Sequence, residues 1–269
     1  MKKTLSKLLA LALTASLVLS GCGGNAEGGN SEANTQGGQA NAEGSDKKEE
    51  ASSKDEIKDL YIARLATREL ETFNILYTQR AEDGENLTSL VDGLLESNPK
   101  GELVPCIAEE WGSEDGGLTW KFKVREGVKW VDVNGNEKAD CNAQDFATGL
   151  EWVLNFYKND SNNTAMPIEM IKGAKEYYEY TKTLSEDEAK ALTAGEGSKF
   201  REMVGLETPD DHTVVYHCVT EKPYFDSLAS YVALYPLSQG MVDELGGADA
   251  VKAMNNENMW YNGCYTMTS

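Results

Sequence analysis

The pattern of hydrophobic and polar positions divides the chain near Ile57. Residues 23–56 are almost wholly Gly, Asn, Ser, Ala, Glu, Gln and Lys, and Ile57 is the first large aliphatic residue after them. Such a stretch cannot bury enough apolar surface to offset its chain entropy. We therefore predict a disordered tether over 22–56, with a reach of roughly 30 Å, and a folded part that begins near Ile57.

Strands are predicted where apolar residues alternate or run together. Apolar side chains occupy every second position from Leu118 to Val124, which is typical of a strand with one buried face. Residues 213–219 are apolar on both faces and predict a central strand, and residues 59–66 predict the first strand. Asn134-Gly135 separates two short apolar runs, 128–133 and 137–141, and so predicts a hairpin.

Helices are predicted where apolar residues recur at helical spacing or a capping residue precedes them. Residues 86–96 carry five apolar residues at this spacing, and Pro105 is placed to begin a helical turn through Trp111. Asn142 is a candidate cap for a helix to about Lys158. Further helices are predicted over 186–192 after a Ser185/Glu188 capping box, from Pro223 through Tyr231, and over 238–245. The elements alternate without a repeat and predict a mixed α/β (α+β) chain.

The amino terminus has the three parts of a secretory signal. Three lysines precede the apolar stretch Leu8–Ser20, which is too short to span a bilayer comfortably. It ends in Gly21-Cys22, and the segment Leu19–Cys22 resembles the bacterial lipobox. We therefore expect a signal peptide over 1–21, with Cys22 as the lipidation residue that holds the protein at the extracytoplasmic face of the membrane.

Composition excludes several classes of protein. The 269 residues include 45 acidic and 25 basic side chains, for a net charge of −20. A surface this acidic repels phosphate backbones and anionic lipid, so we expect no nucleic-acid partner. Five cysteines are too few for a disulfide scaffold, and two histidines argue against a His-rich metal site.

No sequence motif strongly indicates a catalytic or metal-binding site. Asp132, Asn134 and Asn136 mimic the start of a calcium loop, but Glu137 and Ala143 stand where that loop needs Gly and Glu. His212 and His217 are five apart, which puts them on opposite faces of a strand. We find no nucleophile elbow, P-loop or dinucleotide-binding motif, and expect no enzyme activity, catalytic residue, metal or cofactor. The last four cysteines are best interpreted as small buried residues, and a disulfide between two of them is the alternative. They are Cys106, Cys141, Cys218 and Cys264.

Six phrases taken in order resemble one family, the extracytoplasmic solute-binding proteins of ABC importers, in their oligopeptide/dipeptide-binding branch. They are Leu90–Leu95, Gly101–Pro105 with Ile107–Trp111, Asp115–Phe122 with Val124–Trp130, Ala143–Phe146, Asp210–Val214 and Asn262–Tyr265. The resemblance runs from about residue 58 to the end. It implies a two-lobe, periplasmic-binding-protein-like architecture, of which this chain holds only most of the first lobe with its inserted subdomain.

The resemblance also implies an organisation and a site. The first-lobe strand region covers 57–80, the inserted subdomain 81–203 and the return 204–269, with the second lobe absent, as in a truncated product or an incomplete record. The implied ligand-binding residues are Glu69, Leu70, Glu71, Asn262, Gly263 and Cys264, largely through backbone groups. Cys264 stands where the family often has Pro or Ala.

The function that follows is capture of peptides and their delivery to an ABC permease. The implied partners are a peptide ligand, the transmembrane subunits of the permease and, through the lipid anchor, the membrane; we expect a monomer. Alternatives in the same fold are another solute (nickel chelate, haem, sugar or signalling peptide) or a fragment that does not bind. A secreted hydrolase is the alternative from another class.

Overall fold

A computed structural model describes residues 69–268. Its strands are β1 (Leu95–Ser97), β2 (Leu103–Pro105), β3 (Ala108–Gly112), β4 (Thr119–Val124), β5 (Lys129–Val131), β6 (Glu137–Asp140), β7 (Leu206–Asp210) and β8 (Thr213–His217). Its α-helices are α1 (Ala81–Leu87), α2 (Ala143–Leu154), α3 (Ala165–Met170), α4 (Ala174–Lys182), α5 (Glu186–Lys190), α6 (Lys199–Met203), α7 (Phe225–Leu228), α8 (Gln239–Leu245) and α9 (Ala248–Lys252). The signal peptide, Cys22, the tether and the strand predicted at 59–66 lie outside the described residues.

A four-stranded antiparallel sheet in the order β3-β4-β8-β7 provides the main core surface. Trp120, Phe122 and Val124 of β4 are buried, while the lysines between them are exposed. The predicted alternation is therefore confirmed from Trp120 to Val124, whereas Leu118 precedes β4 and is exposed. The interior position of β8 is also confirmed, since β8 pairs with β4 on one side and β7 on the other. Helix α2 packs against β7 and β8.

The predictions that rest on local turn and cap chemistry are confirmed. Gly135 has a φ of 80° in the β5–β6 hairpin. Asp132 Oδ1 accepts hydrogen bonds from the backbone N–H groups of Asn134 and Asn136 in the same turn. The side chain of Asn142 caps α2 in a capping box with Asp145. Ser185 and Glu188 form the second capping box, at α5.

Two predicted helices are wrong. Helix α1 ends at Leu87, and the residues that follow turn into β1 rather than continuing to residue 96. The apolar residues at this spacing are buried. However, the carbonyls of Gly93 and Leu94 accept hydrogen bonds from the N–H groups of Ile107 and Ala108, so this stretch pairs with another segment of the chain instead of forming a helix. Residues 105–111 end β2 and form β3 instead of a helical turn, because β3 pairs with β4.

Two other helices are shorter than predicted. Helix α2 ends at Leu154 instead of Lys158, because Asn155 is extended and its side chain is bonded to Glu151 and to the carbonyl of Ala189. The stretch predicted as a helix from Pro223 through Tyr231 is helical only over α7, since Tyr231 is extended.

The sheet includes strands from both sides of residue 203, the predicted end of the inserted subdomain. Strands β7 and β8 lie after this residue, and β8 pairs with β4, which lies before it. Among residues 69–268, no helix is both long and apolar enough to cross a bilayer.

Candidate functional site

The segment Glu69–Glu71 lies at the start of the described chain, with both carboxylates exposed. Its backbone is held by Asp83 of α1, a buried residue whose Oδ1 accepts from the N–H of Glu71 at 3.1 Å. The other oxygen, Oδ2, accepts from the Thr78 hydroxyl at 2.8 Å. One carboxylate therefore fixes both ends of the stretch from 71 to 78.

Side chains of the loop before α3 donate hydrogen bonds to the backbone of the same stretch. Asn163 Nδ2 donates to the carbonyls of Leu76 and Thr78 at 3.1 and 2.7 Å. The hydroxyl of Ser161 donates to the carbonyl of Tyr77 at 2.6 Å. Because Asn163 and Ser161 are themselves buried, this support is rigid, and it presents residues 69–71 on a fixed base.

The second segment, Asn262–Cys264, is tied to residues 89–92. The Gly263 N–H donates to the Leu90 carbonyl at 3.0 Å, and the Tyr265 N–H donates to the Ser89 carbonyl at 3.2 Å. A β-carbon on Gly263 would lie 2.7 Å from the Leu90 carbonyl carbon, so only glycine permits this approach. The chain bends at Gly263 and Cys264, and the two acceptors, Leu90 and Ser89, are adjacent residues of a turn.

Cys264 lies between these two bonds and is exposed. Its backbone N–H and C=O groups have no hydrogen-bond partner within residues 69–268. They are thus available to the main chain of a ligand.

Asp92 sets the electrostatics beside Cys264. Burial raises the pKa of its own carboxyl, and its charge is the largest cause of the raised pKa of the Cys264 thiol. Burial, followed by the charge of Asp92, raises the pKa of the Cys106 thiol to about 12. Both thiols are therefore protonated at neutral pH and are poor nucleophiles.

No hydrogen bond or ion pair within residues 69–268 joins Glu69–Glu71 to Asn262–Cys264. The two segments are instead linked through an apolar layer. Phe73, Val91 and Trp260 line one small cavity of about 10 Å³, and each lies within two residues of one segment or of Asp92. The layer holds the segments on one scaffold without direct contact.

The other sequence candidates lie elsewhere. His217 faces the sheet surface, with Nε2 2.9 Å from Glu207 Oε1, and His212 lies in the β7–β8 turn. The four cysteines are free; Cys141 and Cys218 are buried as predicted, whereas Cys106 is half-buried and Cys264 exposed, so their predicted burial is wrong. Residues 69–268 hold no group of three or more His, Cys, Asp or Glu side chains arranged for a metal ion.

Sequence reasoning missed the supporting residues Asp83, Ser161, Asn163 and Asp92. Several of their partners lie far along the chain, 87 residues away for Asn163 and 170 for Asp92. No spacing or motif signals such pairs, so only the folded structure shows them.

Comparison with known proteins decides the family. Residues 102–269 match the model of the bacterial extracellular solute-binding proteins, family 5. The chain belongs to this family. Its members act on the extracytoplasmic side of the membrane.

A curated relative is the oligopeptide-binding protein SarA of Streptococcus gordonii, 30% identical over 199 residues, which are 74% of this chain and 27% of SarA. The chain thus spans about a quarter of the length of this relative.

Solved structures show the same fold. The substrate-binding domain of an oligopeptide ABC transporter from Bacillus anthracis superimposes with a TM-score of 0.59 at 21% identity, over 74% of this chain and 33% of that one. Haemophilus influenzae OppA, solved with the peptide RPPGFSPFR, gives a TM-score of 0.56 at 26% identity over 74% of this chain and 34% of OppA. The mixed α/β fold predicted from sequence is confirmed, with an extent that matches part of a first lobe.

Proposed function

We propose that the chain is the first-lobe part of a receptor that captures peptides outside the cell and delivers them to an ABC permease. The observation that carries this proposal is the unpaired backbone N–H and C=O of Cys264, between the bonds of Gly263 and Tyr265 to residues 89–90. A peptide main chain can form hydrogen bonds with these two groups, which gives affinity without dependence on peptide sequence.

The exposed carboxylates of Glu69 and Glu71 supply the second part of the site. Glu71 lies 3.4 Å from the guanidinium of Arg80, an exposed pair that contributes little stability and that a ligand can replace. The backbone N–H of Glu71 is already bonded to Asp83, so its contact with a ligand must use the carboxylate or the carbonyl. We assign Glu69, Leu70, Glu71, Asn262, Gly263 and Cys264 to the ligand site.

Ligand-dependent thermal stabilisation tests the assignment, since a ligand that binds only the folded state raises the melting temperature. A broad pool of peptides should raise it, whereas sugars and a nickel chelate should not. Glu69→Gln with Glu71→Gln should reduce the shift. Glu114→Gln should leave it unchanged, because Glu114 is exposed and its side chain has no hydrogen bond or ion pair in the described region. A shift with sugar or chelate and none with peptides would overturn the proposal.

The same proposal places the protein on the outer face of the cell membrane, through lipid on Cys22, with 22–56 as a tether and no catalytic activity or cofactor. Closure of a monomeric receptor on its ligand would create the surface that the permease reads. The intact mass of the protein from native membranes tests the anchor: it should correspond to cleavage before Cys22 plus attached acyl chains. Cys22→Ala should release the protein from the membrane, and retention of that variant on membranes would contradict lipid anchoring.

A further inference from the structure

A second pocket opens beside the edge strand β7. Its volume is about 550 Å³, and it lies between the start of α2, the loop before α6 and the strand itself. Gln144, Glu196, Gly197, Arg201 and Thr208 line it, and none of them belongs to the peptide site proposed above.

Arg201 forms the cationic wall of this pocket. Its guanidinium donates to the carbonyls of Ala194 and Leu206 at 2.8 and 3.3 Å. It also donates to the Thr208 hydroxyl at 2.7 Å and to the side-chain oxygen of Gln144. All four acceptors are neutral, and Arg201 takes part in no ion pair within residues 69–268.

This arrangement leaves a positive charge without a counter-charge in a strongly acidic protein. Burial lowers the pKa of Arg201, which shows the cost of removing its charge from water. The four bonds occupy four of the five guanidinium hydrogens, so one hydrogen on Nη1 has no acceptor among the described residues. A carboxylate there would form a charge-assisted hydrogen bond.

The acidic groups on the pocket restrict the ligand further. Glu207 bonds to His217, and Glu196 has no hydrogen bond or ion pair among the described residues. Two carboxylates on the wall repel an anion of high charge, whereas Glu196 attracts an ammonium group. The pocket therefore matches a ligand that carries one carboxylate and one ammonium.

We propose that this pocket binds a small zwitterionic α-amino acid, with its carboxylate on Arg201 and its ammonium group on Glu196. The volume of the pocket accommodates such a molecule. The proposal is independent of peptide capture, because the pocket has its own residues and its own charges.

Three probes of similar size test the charge requirement in the ¹⁵N-labelled chain by NMR titration, with the Gly197 amide and the Arg201 Nε–H as reporters. L-alanine has both charges, propionate lacks the ammonium and alaninamide lacks the carboxylate. L-alanine should give saturable shifts at both reporters. Alaninamide should bind about tenfold more weakly, since it loses a hydrogen bond between charged groups. Equal affinity for L-alanine and alaninamide, or no saturable shift with L-alanine, would overturn the proposal.

Two variants test the residues. Gln144→Glu sets a carboxylate against the guanidinium while keeping an acceptor oxygen at the same place, and it should weaken L-alanine and propionate about tenfold. Glu196→Gln should weaken L-alanine but leave propionate unchanged or tighter. Glu114→Gln is the matched control and should change neither. Unchanged L-alanine affinity in a folded Gln144→Glu protein would contradict the assignment, and the three-probe comparison decides the question if that variant does not fold.

Discussion

The side-chain oxygen of Asn262 accepts a hydrogen bond from the backbone N–H of Asp92 at 2.9 Å, across 170 residues of chain. The amide of the same side chain reaches the sulfur of Cys141, next to the cap of α2. Asn262 is buried, so these bonds are shielded from water. They position the neighbouring backbone at Cys264 relative to the core.

Removal of this side chain should destabilise the fold. We expect Asn262→Ala to lower the free energy of unfolding by about 1–3 kcal/mol, because the N–H of Asp92 loses its acceptor. Asn162→Ala is the matched control: Asn162 is exposed and its side chain has no bond in the described region, so the change should be within about 0.5 kcal/mol. Urea unfolding measures both, and equal losses would show that the Asn262 bond contributes nothing specific.

A methyl group at Gly263 should be costly. The added carbon would lie 2.7 Å from the Leu90 carbonyl carbon and 2.8 Å from the Ser89 oxygen, both backbone atoms that cannot step aside. We expect Gly263→Ala to destabilise by about 1–3 kcal/mol and to weaken peptide binding.

Gly84→Ala is the control for that substitution and should have the opposite sign. Gly84 lies inside α1 with nothing within 4 Å of an added carbon, so alanine should stabilise by about 0.5–1 kcal/mol. A neutral effect at Gly263 would contradict the close approach that the structure shows.

Asp145 should make stability fall as pH rises. Burial raises the pKa of its carboxyl to about 6, although the indole N–H of Trp130 donates to it at 2.9 Å. Between pH 3.8 and about 6 the folded state therefore holds more protons at this site than the unfolded state, and ionisation costs stability on the order of 3 kcal/mol. Over this window, wild type should lose stability relative to Asp145→Asn as the pH rises. Above it, the difference between their free energies of unfolding should stay constant.

The pKa of Asp115 is lowered instead of raised, so its effect on stability should have the opposite pH dependence. Hydrogen bonds, above all from the backbone N–H of Thr119, lower its pKa to about 2. Its contribution is present above pH 3.8 and is lost as the pH falls toward 2. The wild-type minus Asp115→Asn difference should therefore favour wild type more as pH rises. The same sign for both residues would refute the assigned environments.

The buried pair between Glu151 and Lys158 should depend on both partners. Lys158 Nζ lies 2.6 Å from Glu151 Oε2, and Tyr177 donates to the other oxygen at 2.8 Å. Lys158→Met should destabilise by about 3–5 kcal/mol, because it leaves a buried charge without its partner.

Replacing both members of that pair, as Glu151→Gln with Lys158→Met, should cost less than Lys158→Met alone. The exposed pair between Lys199 and Glu202 is the control, and Lys199→Met should cost less than about 1 kcal/mol. Thermal or urea unfolding measures all three proteins, and a double variant as unstable as the single one would contradict the charge argument.

Features set by neighbouring residues were predictable from the sequence. The alternation from Trp120 to Val124, the turn at Gly135 and the capping boxes at Asn142 and Ser185 all formed as expected, because each is decided within a few residues. The helices expected at 86–96 and 105–111 failed for the opposite reason. Their backbone groups bond to segments that the local pattern does not contain.

The candidate site shows the same division. The resemblance of the phrase Asn262–Tyr265 pointed to the second segment, whose role in ligand binding stays a prediction; the Cys264 backbone there has no hydrogen-bond partner within residues 69–268. The supports of the first segment, Asp83 and Asn163, could not be predicted, because their bonding partners come together only in the fold.

The most direct test of the central claim is to identify what the protein carries. The protein is isolated from its source under non-denaturing conditions and then denatured, and the released small molecules are analysed by mass spectrometry. Our account predicts peptides of mixed sequence in near-stoichiometric amount. Release of a sugar or a metal chelate from the folded protein, with no peptide, would contradict it.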